Sequence, residues 1–182
     1  MDRMSRKSDI ISELFLLHSN SIYRYAKYCL PRDIDSKDVV QEVFLRAFRS
    51  WDEFQGNSDP KTWLFSIARN HIYDLLRKKK RERMHEIFQS TRPQEGSENL
   101  NTIIELEDAL SRLHPNYRQI LVLRLIQDLS IPDIAKVLDW SESKVRITFH
   151  RARKKLQAEL QDQPVFFFES ERSDTTHGKQ SN

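Results

Sequence analysis

Aromatic, amide and guanidinium side chains recur at helical spacing in the segment KTWLFSIARNHIYDLLRKKKRER, residues 61–83. The residues that share this face are Trp63, Ser66, Asn70, Tyr73 and Arg77. Aromatic rings stack on unpaired bases, amides bind base edges, and arginines contact phosphates. The face therefore predicts a surface for single-stranded nucleic acid. Rings that merely border a core, next to a solvated basic helix end, explain this segment equally well.

A second basic segment, SESKVRITFHRARKKL at 141–156, favours nucleic acid more strongly. Val145, Phe149, Ala152 and Leu156 form a narrow apolar stripe, and basic residues cover most of the rest of the predicted helix. Ile147 falls in the middle of that basic face. A helix entering the major groove would place its cations on phosphates and Ile147 on a thymine methyl group. The alternative is a surface helix with one stray isoleucine, but a helix and turn precede it, which favours DNA.

Helical periodicity runs through nearly the whole chain, and no stretch alternates convincingly as a strand would. Residues 8–30 predict a first helix, or a pair of helices, which Pro31 ends. Asp35 has the spacing of a helix N-terminal cap. Ser130 and Ser141 begin two further helices joined by a short turn, the pattern of a helix-turn-helix. The predicted core residues of the first helix are Ile11, Leu14, Phe15, Ile22, Tyr25 and Ala26.

Breaker-rich segments divide the chain. The stretch 52–60 predicts a loop, and the polar stretch around 89–101 predicts a linker between domains. We therefore expect an all-α protein with two small helical domains joined by a flexible linker, the second containing the helix-turn-helix. The predicted bounds are 8–86 for the first domain, 87–102 for the linker, 103–160 for the second domain and 161–182 for a disordered tail. Within that tail, PVFFFE is interpreted either as a contact on the second domain or as a docking peptide.

Composition argues against several classes of protein. The net charge is only +3, but the basic residues are clustered, which suggests two surfaces for polyanions. Three glycines are too few for a phosphate-binding loop, and the six histidines lack metal-ligand spacing. The single cysteine, Cys29, fits a reducing cytoplasm, and no run of residues is long and apolar enough to span a membrane. We expect neither an enzyme nor a bound cofactor.

The order of these motifs resembles the extracytoplasmic-function group of bacterial sigma factors, the small members of the sigma-seventy family. DSKDVVQEVFLRAFRSWDEF resembles their polymerase-binding helix, and TWLFSIARNHIYDLLRKKKR resembles the helix that reads the melted minus-ten element. The stretch from LHPNYRQ to HRARKKL resembles the domain that reads the minus-thirty-five element. The resemblance covers residues 8 to 160. It implies a subunit that binds core RNA polymerase, directs it to promoters and helps to melt them.

The resemblance also implies roles for individual residues. Those expected to grip the clamp helices of the largest polymerase subunit are Asp38, Gln41, Glu42 and Phe44. Those expected at the minus-ten element are Phe54, Gln55, Gly56, Asn57, Lys61, Trp63, Asn70, Tyr73, Asp74 and Arg77, the loop among them closing on a flipped base. Those expected at the minus-thirty-five element are Ser143, Lys144, Arg146, Ile147, Arg151 and Lys154. An anti-sigma protein is the regulator that the resemblance implies.

One departure from the family concerns the turn between the last two helices, where Asp139 stands at a position usually held by glycine. Two other functions stay open from the residues. An autonomous helix-turn-helix regulator would bind operator DNA without polymerase, but it would have no need of the first domain. An adaptor that uses its helical faces only for protein partners is the third, and the basic segment Lys144–Lys155 argues against it.

Overall fold

The structure is a computed structural model, and it describes residues 3–86 and 102–160 of the 182. The predicted linker, 87–102, lies outside the described residues except for Thr102, which begins a helix. The predicted tail, 161–182, including PVFFFE, also lies outside them. Among the described residues, no helix combines the length and apolarity that crossing a membrane requires.

Within residues 3–86 and 102–160, seven α-helices form two blocks. The first block contains α1 (Arg3–Cys29), α2 (Ser36–Ser50) and α3 (Pro60–Glu86), with one 3₁₀ turn (Trp51–Glu53) after α2. The second contains α4 (Thr102–Arg112), α5 (Pro115–Leu121), α6 (Ile131–Leu138) and α7 (Glu142–Glu159). A π-helical turn (Val122–Ile126) continues α5. The described residues contain no strand, so the predicted all-α fold with two helical domains is confirmed, and α6 and α7 form the predicted helix-turn-helix.

Side-chain caps begin the helices where the sequence predicts them. Asp35 accepts a hydrogen bond from the backbone N–H of Lys37 at 2.8 Å, and so begins α2. Ser130 and Ser141 accept from backbone N–H groups at the starts of α6 and α7. Each bond satisfies one of the amide groups that a helix start leaves without a partner, so these residues fix where the helices begin.

The core of the first block forms where the apolar stripes of α1, α2 and α3 meet. Leu64, Phe65, Ala68 and Ile72 of α3 are completely buried. The prediction that Phe15 belongs to this core is wrong, because 41% of its surface is exposed. It lies at the margin of the α1 stripe, where its ring meets the edge of the Phe44 ring at 5.0 Å.

The two blocks pack against each other, which the sequence does not predict. Arg118 of α5 donates to the carbonyl oxygens of Leu110, at 2.7 Å, and of Cys29, at 3.2 Å. It thereby binds the C-terminal carbonyls of α4 and α1 at once, a position that favours a cation. Ion pairs between Lys27 and Glu107, at 2.7 Å, and between Arg32 and Asp108, at 2.8 Å, cross the same boundary.

Near this boundary, buried polar atoms lack hydrogen-bond partners among the described residues. They are Tyr25 Oη, Arg69 Nε and Gln127 Nε2. A buried polar group without a partner costs about 1–3 kcal/mol relative to the same group in water. The packing of the two blocks is therefore less favourable than its buried area alone would suggest.

Asp139 adopts the backbone conformation that the usual glycine would provide. Its φ and ψ are 55° and 51°, in the left-handed region, directly after α6. The N–H of Trp140 binds the carbonyl oxygen of Ala135 at 3.0 Å, which closes the helix as a glycine-terminated helix is closed. The turn between α6 and α7 is therefore kept, and short polar residues such as Asp tolerate this conformation better than most.

We expect Asp139→Gly to raise the free energy of unfolding by about 0.5 kcal/mol. The left-handed strain of an L-residue is about 1–2 kcal/mol, with Asp at the lower end, and its relief slightly exceeds the entropy that glycine adds to the unfolded chain, about 0.4–1 kcal/mol. Urea denaturation followed by circular dichroism measures the change. Asp139→Ala is the control and should lower stability; a glycine variant no more stable than the alanine variant would contradict the strain argument.

Candidate nucleic-acid interface

An aromatic cluster joins the end of α2 to the start of α3. The rings of Trp51 and Phe54 stack with centroids 5.2 Å apart, and Trp63 lies 4.8 Å from Phe54 and 5.6 Å from Trp51. All three side chains are partly buried. Because each ring braces the other two, Trp63 has a fixed orientation, and part of its surface stays accessible.

The loop that follows Phe54 is held at both ends and exposed between them. Phe54 fixes its start through the aromatic cluster, and Asp59 caps α3 by accepting from the Lys61 N–H at 2.8 Å. Gly56 has φ +70°, and a Cβ added there would meet nothing within 4 Å, so the backbone angle rather than space requires glycine. Gln55 and Asn57 are exposed, with the Asn57 amide donating to the Gln55 amide oxygen at 3.1 Å.

On the α3 face, Tyr73 is already engaged within the protein. The guanidinium of Arg69 lies 4.6 Å above its ring, and its hydroxyl donates to Asn116 Oδ1 at 2.6 Å. Burial raises the pKa of Tyr73, so the phenol stays protonated and can donate. Arg69 also donates to the amide oxygen of Asn70 at 2.8 Å. The structure thus gives part of this face to contacts with the second block.

Farther along α3 the predicted residues Asp74 and Arg77 are exposed, and the surface around them is basic. Asp74 and Arg77 line an open cleft of about 560 Å³ together with Lys80 and Arg81. Three cations against one carboxylate make this end of α3 attractive to phosphates. Asn70, one turn before Asp74, is also exposed.

The face predicted for polymerase is a stripe along α2. Asp38 and Gln41 are exposed, and Glu42 accepts from Arg46 Nε at 2.7 Å. That hydrogen bond lowers the pKa of Glu42, so the group is a carboxylate at neutral pH.

Phe44 requires a correction, because only 6% of its surface is exposed. It lies beneath the α2 face and supports it rather than forming part of it. Leu45, which is not among the residues predicted from the sequence, is 50% exposed and lies four residues after Gln41, on the same side of the helix. The signal in the sequence is an apolar residue one helical turn from the polar residues Gln41 and Arg49 on the same side of α2.

Arg46 connects the α2 face with the α3 face. Besides its bond to Glu42, its guanidinium lies 4.0 Å from the carboxylate of Asp74. His71 lies in the same cluster, where burial and then the charge of Arg46 lower its pKa. The surface predicted for polymerase and the surface predicted for melted DNA are therefore linked by one side chain.

The outer surface of α7 is open. Ile147 is 54% exposed, whereas Val145, Ala152 and Leu156 anchor the opposite side in the core. The ammonium group of Lys144 lies 4.2 Å from the centroid of the Trp140 ring. The predicted polar residues that are exposed on α7 are Ser143, Lys144, Arg146, Arg151 and Lys154.

Sequence comparisons match both blocks to one family. Residues 14–82 match the family model for sigma-70 region 2, and residues 103–156 match that for sigma-70 region 4. The chain is 33% identical, over 159 residues, to the ECF RNA polymerase sigma factor SigX of Bacillus subtilis (strain 168). The alignment covers 81% of this chain and 82% of SigX.

Solved structures share the fold. One is the sigma factor RpoE from Bartonella quintana, in complex with the anti-sigma factor NepR; its TM-score is 0.71 at 24% identity, with 84% of this chain and 98% of that chain covered. Another is CnrH in complex with the cytosolic domain of CnrY; its TM-score is 0.67 at 27% identity, with 86% and 91% covered.

We expect the free energy of unfolding to fall as the pH is lowered from about 7 to about 5.5. The unfolded chain binds protons at a histidine pKa near 6.5, whereas the folded pKa of His71 is lower. His18 contributes in the same direction, because burial and then Lys61 lower its pKa. The free energy of unfolding therefore falls as the pH drops below the histidine pKa of the unfolded chain, towards the lower pKa of the folded state.

Urea titrations at several pH values test this expectation with the single variants His71→Gln and His18→Gln and with the double variant. The double variant should show the flattest dependence between pH 7 and 5.5. Wild-type slopes in all three variants would mean that neither histidine is responsible. Glu42 does not contribute to the change in stability over this pH range, because its pKa is below the usual carboxyl value.

Proposed function

The chain belongs to the extracytoplasmic-function group of the sigma-70 family of RNA polymerase sigma factors. We propose which of its surfaces binds core polymerase and which bind each promoter element. The single observation that supports this division of roles is that one chain exposes two basic surfaces of different chemistry, one on α3 and one on α7. The α3 face offers a ring, amides and cations suited to unpaired bases, and α7 offers an exposed basic helix suited to duplex DNA.

The α2 face is the proposed site for core polymerase. Asp38, Gln41 and Glu42 would bind the clamp helices of the largest subunit, and Leu45 would add an apolar contact between them. Phe44, buried beneath this face, would hold α2 against the core and so fix which side of the helix is exposed. A polar stripe with one exposed leucine fits a helical partner better than it fits DNA, because the carboxylates of Asp38 and Glu42 offset the charge of the arginines beside them.

The loop 54–61 and the exposed side of α3 are the proposed site for the melted minus-ten element. Trp63, braced by its two aromatic neighbours, would stack on a base without losing side-chain entropy. The exposed loop around Gly56 would close on a base flipped from the duplex, offsetting part of the cost of unstacking. Arg77 and the basic residues after it would hold the adjoining phosphates.

The outer surface of α7 is the proposed reader of the minus-thirty-five element. Lys144, Arg146, Arg151 and Lys154 would contact phosphates or base edges, and Ile147 would contact a thymine methyl group. We also propose that an anti-sigma protein regulates the chain and that it acts in the cytoplasm, where core polymerase lies. Proteins of this family are generally not enzymes, and we propose neither a cofactor nor catalysis.

Run-off transcription with sigma-free bacterial core polymerase tests the proposed function. Purified protein, core and pooled genomic fragments should give discrete start sites that require both proteins. Aligning these start sites would give the promoter sequence. Tight duplex binding by the protein alone, with no transcripts, would contradict the proposal.

We expect Ile147→Ala to change the preference for one upstream base pair by about 1 kcal/mol, or about fivefold in affinity, because the side chain would no longer contact the thymine methyl group. Binding of single-base variants of the upstream duplex measures this change. Lys154→Ala is the matched control. Loss of its phosphate contact should weaken binding to all sequences alike and reduce the slope of log affinity against log salt concentration by about one. An equally uniform loss for Ile147→Ala would contradict the role in reading sequence.

A further inference from the structure

The turn before α7 carries an aromatic ring that contacts the first cation of the helix. Trp140 stands directly before Ser141, the N-terminal cap of α7, and its side chain is partly buried against the core. The ammonium group of Lys144 lies over this ring, 4.2 Å from its centroid. At this distance the face of an indole ring attracts a cation. The first basic side chain of α7 therefore has a partner that lies outside the helix.

The position of the Trp140 ring is fixed independently of Lys144. Its backbone N–H binds the carbonyl oxygen of Ala135 at 3.0 Å, in the turn that the left-handed Asp139 forms. An apolar residue directly before an N-terminal cap commonly packs towards the fourth residue of the helix. Here that residue is Val145, which is completely buried. The ring is therefore a rigid support on which the flexible lysine side chain rests.

Lys144 keeps its full charge in this arrangement, in contrast to Arg146. The guanidinium of Arg146 lies 3.7 Å from the carboxylate of Glu142, which offsets part of its charge. No carboxylate among the described residues forms an ion pair with the Lys144 ammonium, whose recorded partner is the ring. A ring carries no net charge, so it orients the cation without neutralising it. Lys144 is thus both oriented and available to a polyanion.

Orientation decides whether a lysine reads sequence or only adds affinity. Its ammonium is a point charge on a flexible four-carbon stem, and a mobile ammonium can bind any nearby phosphate, which carries no sequence information. Lys144 lies in the first turn of α7, the part of a recognition helix that contacts base edges. An ammonium group only donates hydrogen bonds, so it fits the guanine edge, where O6 and N7 both accept.

We propose that Trp140 is a specificity-determining residue of the α7 surface, because its ring positions the Lys144 ammonium to donate to a guanine in the minus-thirty-five element. This inference rests on the proposed function. Trp140 acts through Lys144 and is a positioning residue. Part of the side-chain entropy that a free lysine loses on binding is already lost in the unbound protein, which favours the one geometry that the ring supports.

Lys144→Ala tests the guanine contact. The full chain is assembled with bacterial core polymerase, and promoter fragments found by run-off transcription are varied one base pair at a time across the upstream element. Competition binding gives the relative affinity for each fragment. The wild type should prefer guanine at one position by about fivefold or more, and Lys144→Ala should reduce that preference to about twofold or less. An unchanged preference at every position would overturn the contact.

Two substitutions of Trp140 test the positioning role. Trp140→Leu keeps an apolar side chain at the turn and removes the ring, so it should lower the preference at the Lys144 position by about twofold or more and leave the other positions unchanged. Trp140→Phe keeps an aromatic face and should retain the preference. If Trp140→Leu instead weakens binding to all fragments alike, the ring only supports the turn, and the positioning role is wrong.

A double variant shows whether the two residues act as one unit. Trp140→Leu combined with Lys144→Ala should show the same remaining preference as Lys144→Ala alone, because the ring has no ammonium left to position. A further loss of preference in the double variant would overturn the mechanism. Lys144 is exposed, so its variant gives a result even if the ring-free chain does not fold. Absence of discrete start sites with the wild-type chain would instead count against the proposed function.

Discussion

The rotational position of α3 is the constraint on which the rest of the structure depends. Leu64, Phe65, Ala68 and Ile72 are completely buried, and burying each of the larger side chains contributes about 1.5–3 kcal/mol. A rotation of α3 by one residue, 100°, would bring polar side chains into the core. The buried stripe therefore decides that Trp63 meets the aromatic cluster, that Asn70 and Arg77 face outward, and that Arg69 and Tyr73 meet the second block.

Local features of the fold could be predicted from the sequence because they depend on residues close together in the chain. The caps at Asp35, Ser130 and Ser141 act over two or three residues, and the all-α class follows from periodicity. The exposure of Phe15 could not be predicted in this way. A side chain at the margin of an apolar stripe is covered only if the neighbouring helix crosses on that side, which periodicity does not state.

The contacts between the blocks could not be predicted at all from local patterns. Tyr73 and Asn116 are separated by 43 residues, and Arg118 and Cys29 by 89. Arg69 and Asn116 look like ordinary polar residues in the sequence, and only the fold brings them to the α3 face. The open surface of α7 was easier to anticipate, because its stripe and its basic face are both contained in one helix.

The buried position of Cys29 decides which kinds of signal this chain can receive. The cysteine is the only one in the sequence, it is 2% exposed, and burial keeps its thiol protonated. Oxidants and electrophiles react with accessible thiolates, so they find no reactive sulfhydryl in the folded chain. While folded, the chain therefore offers no reactive thiol through which an oxidant could switch it.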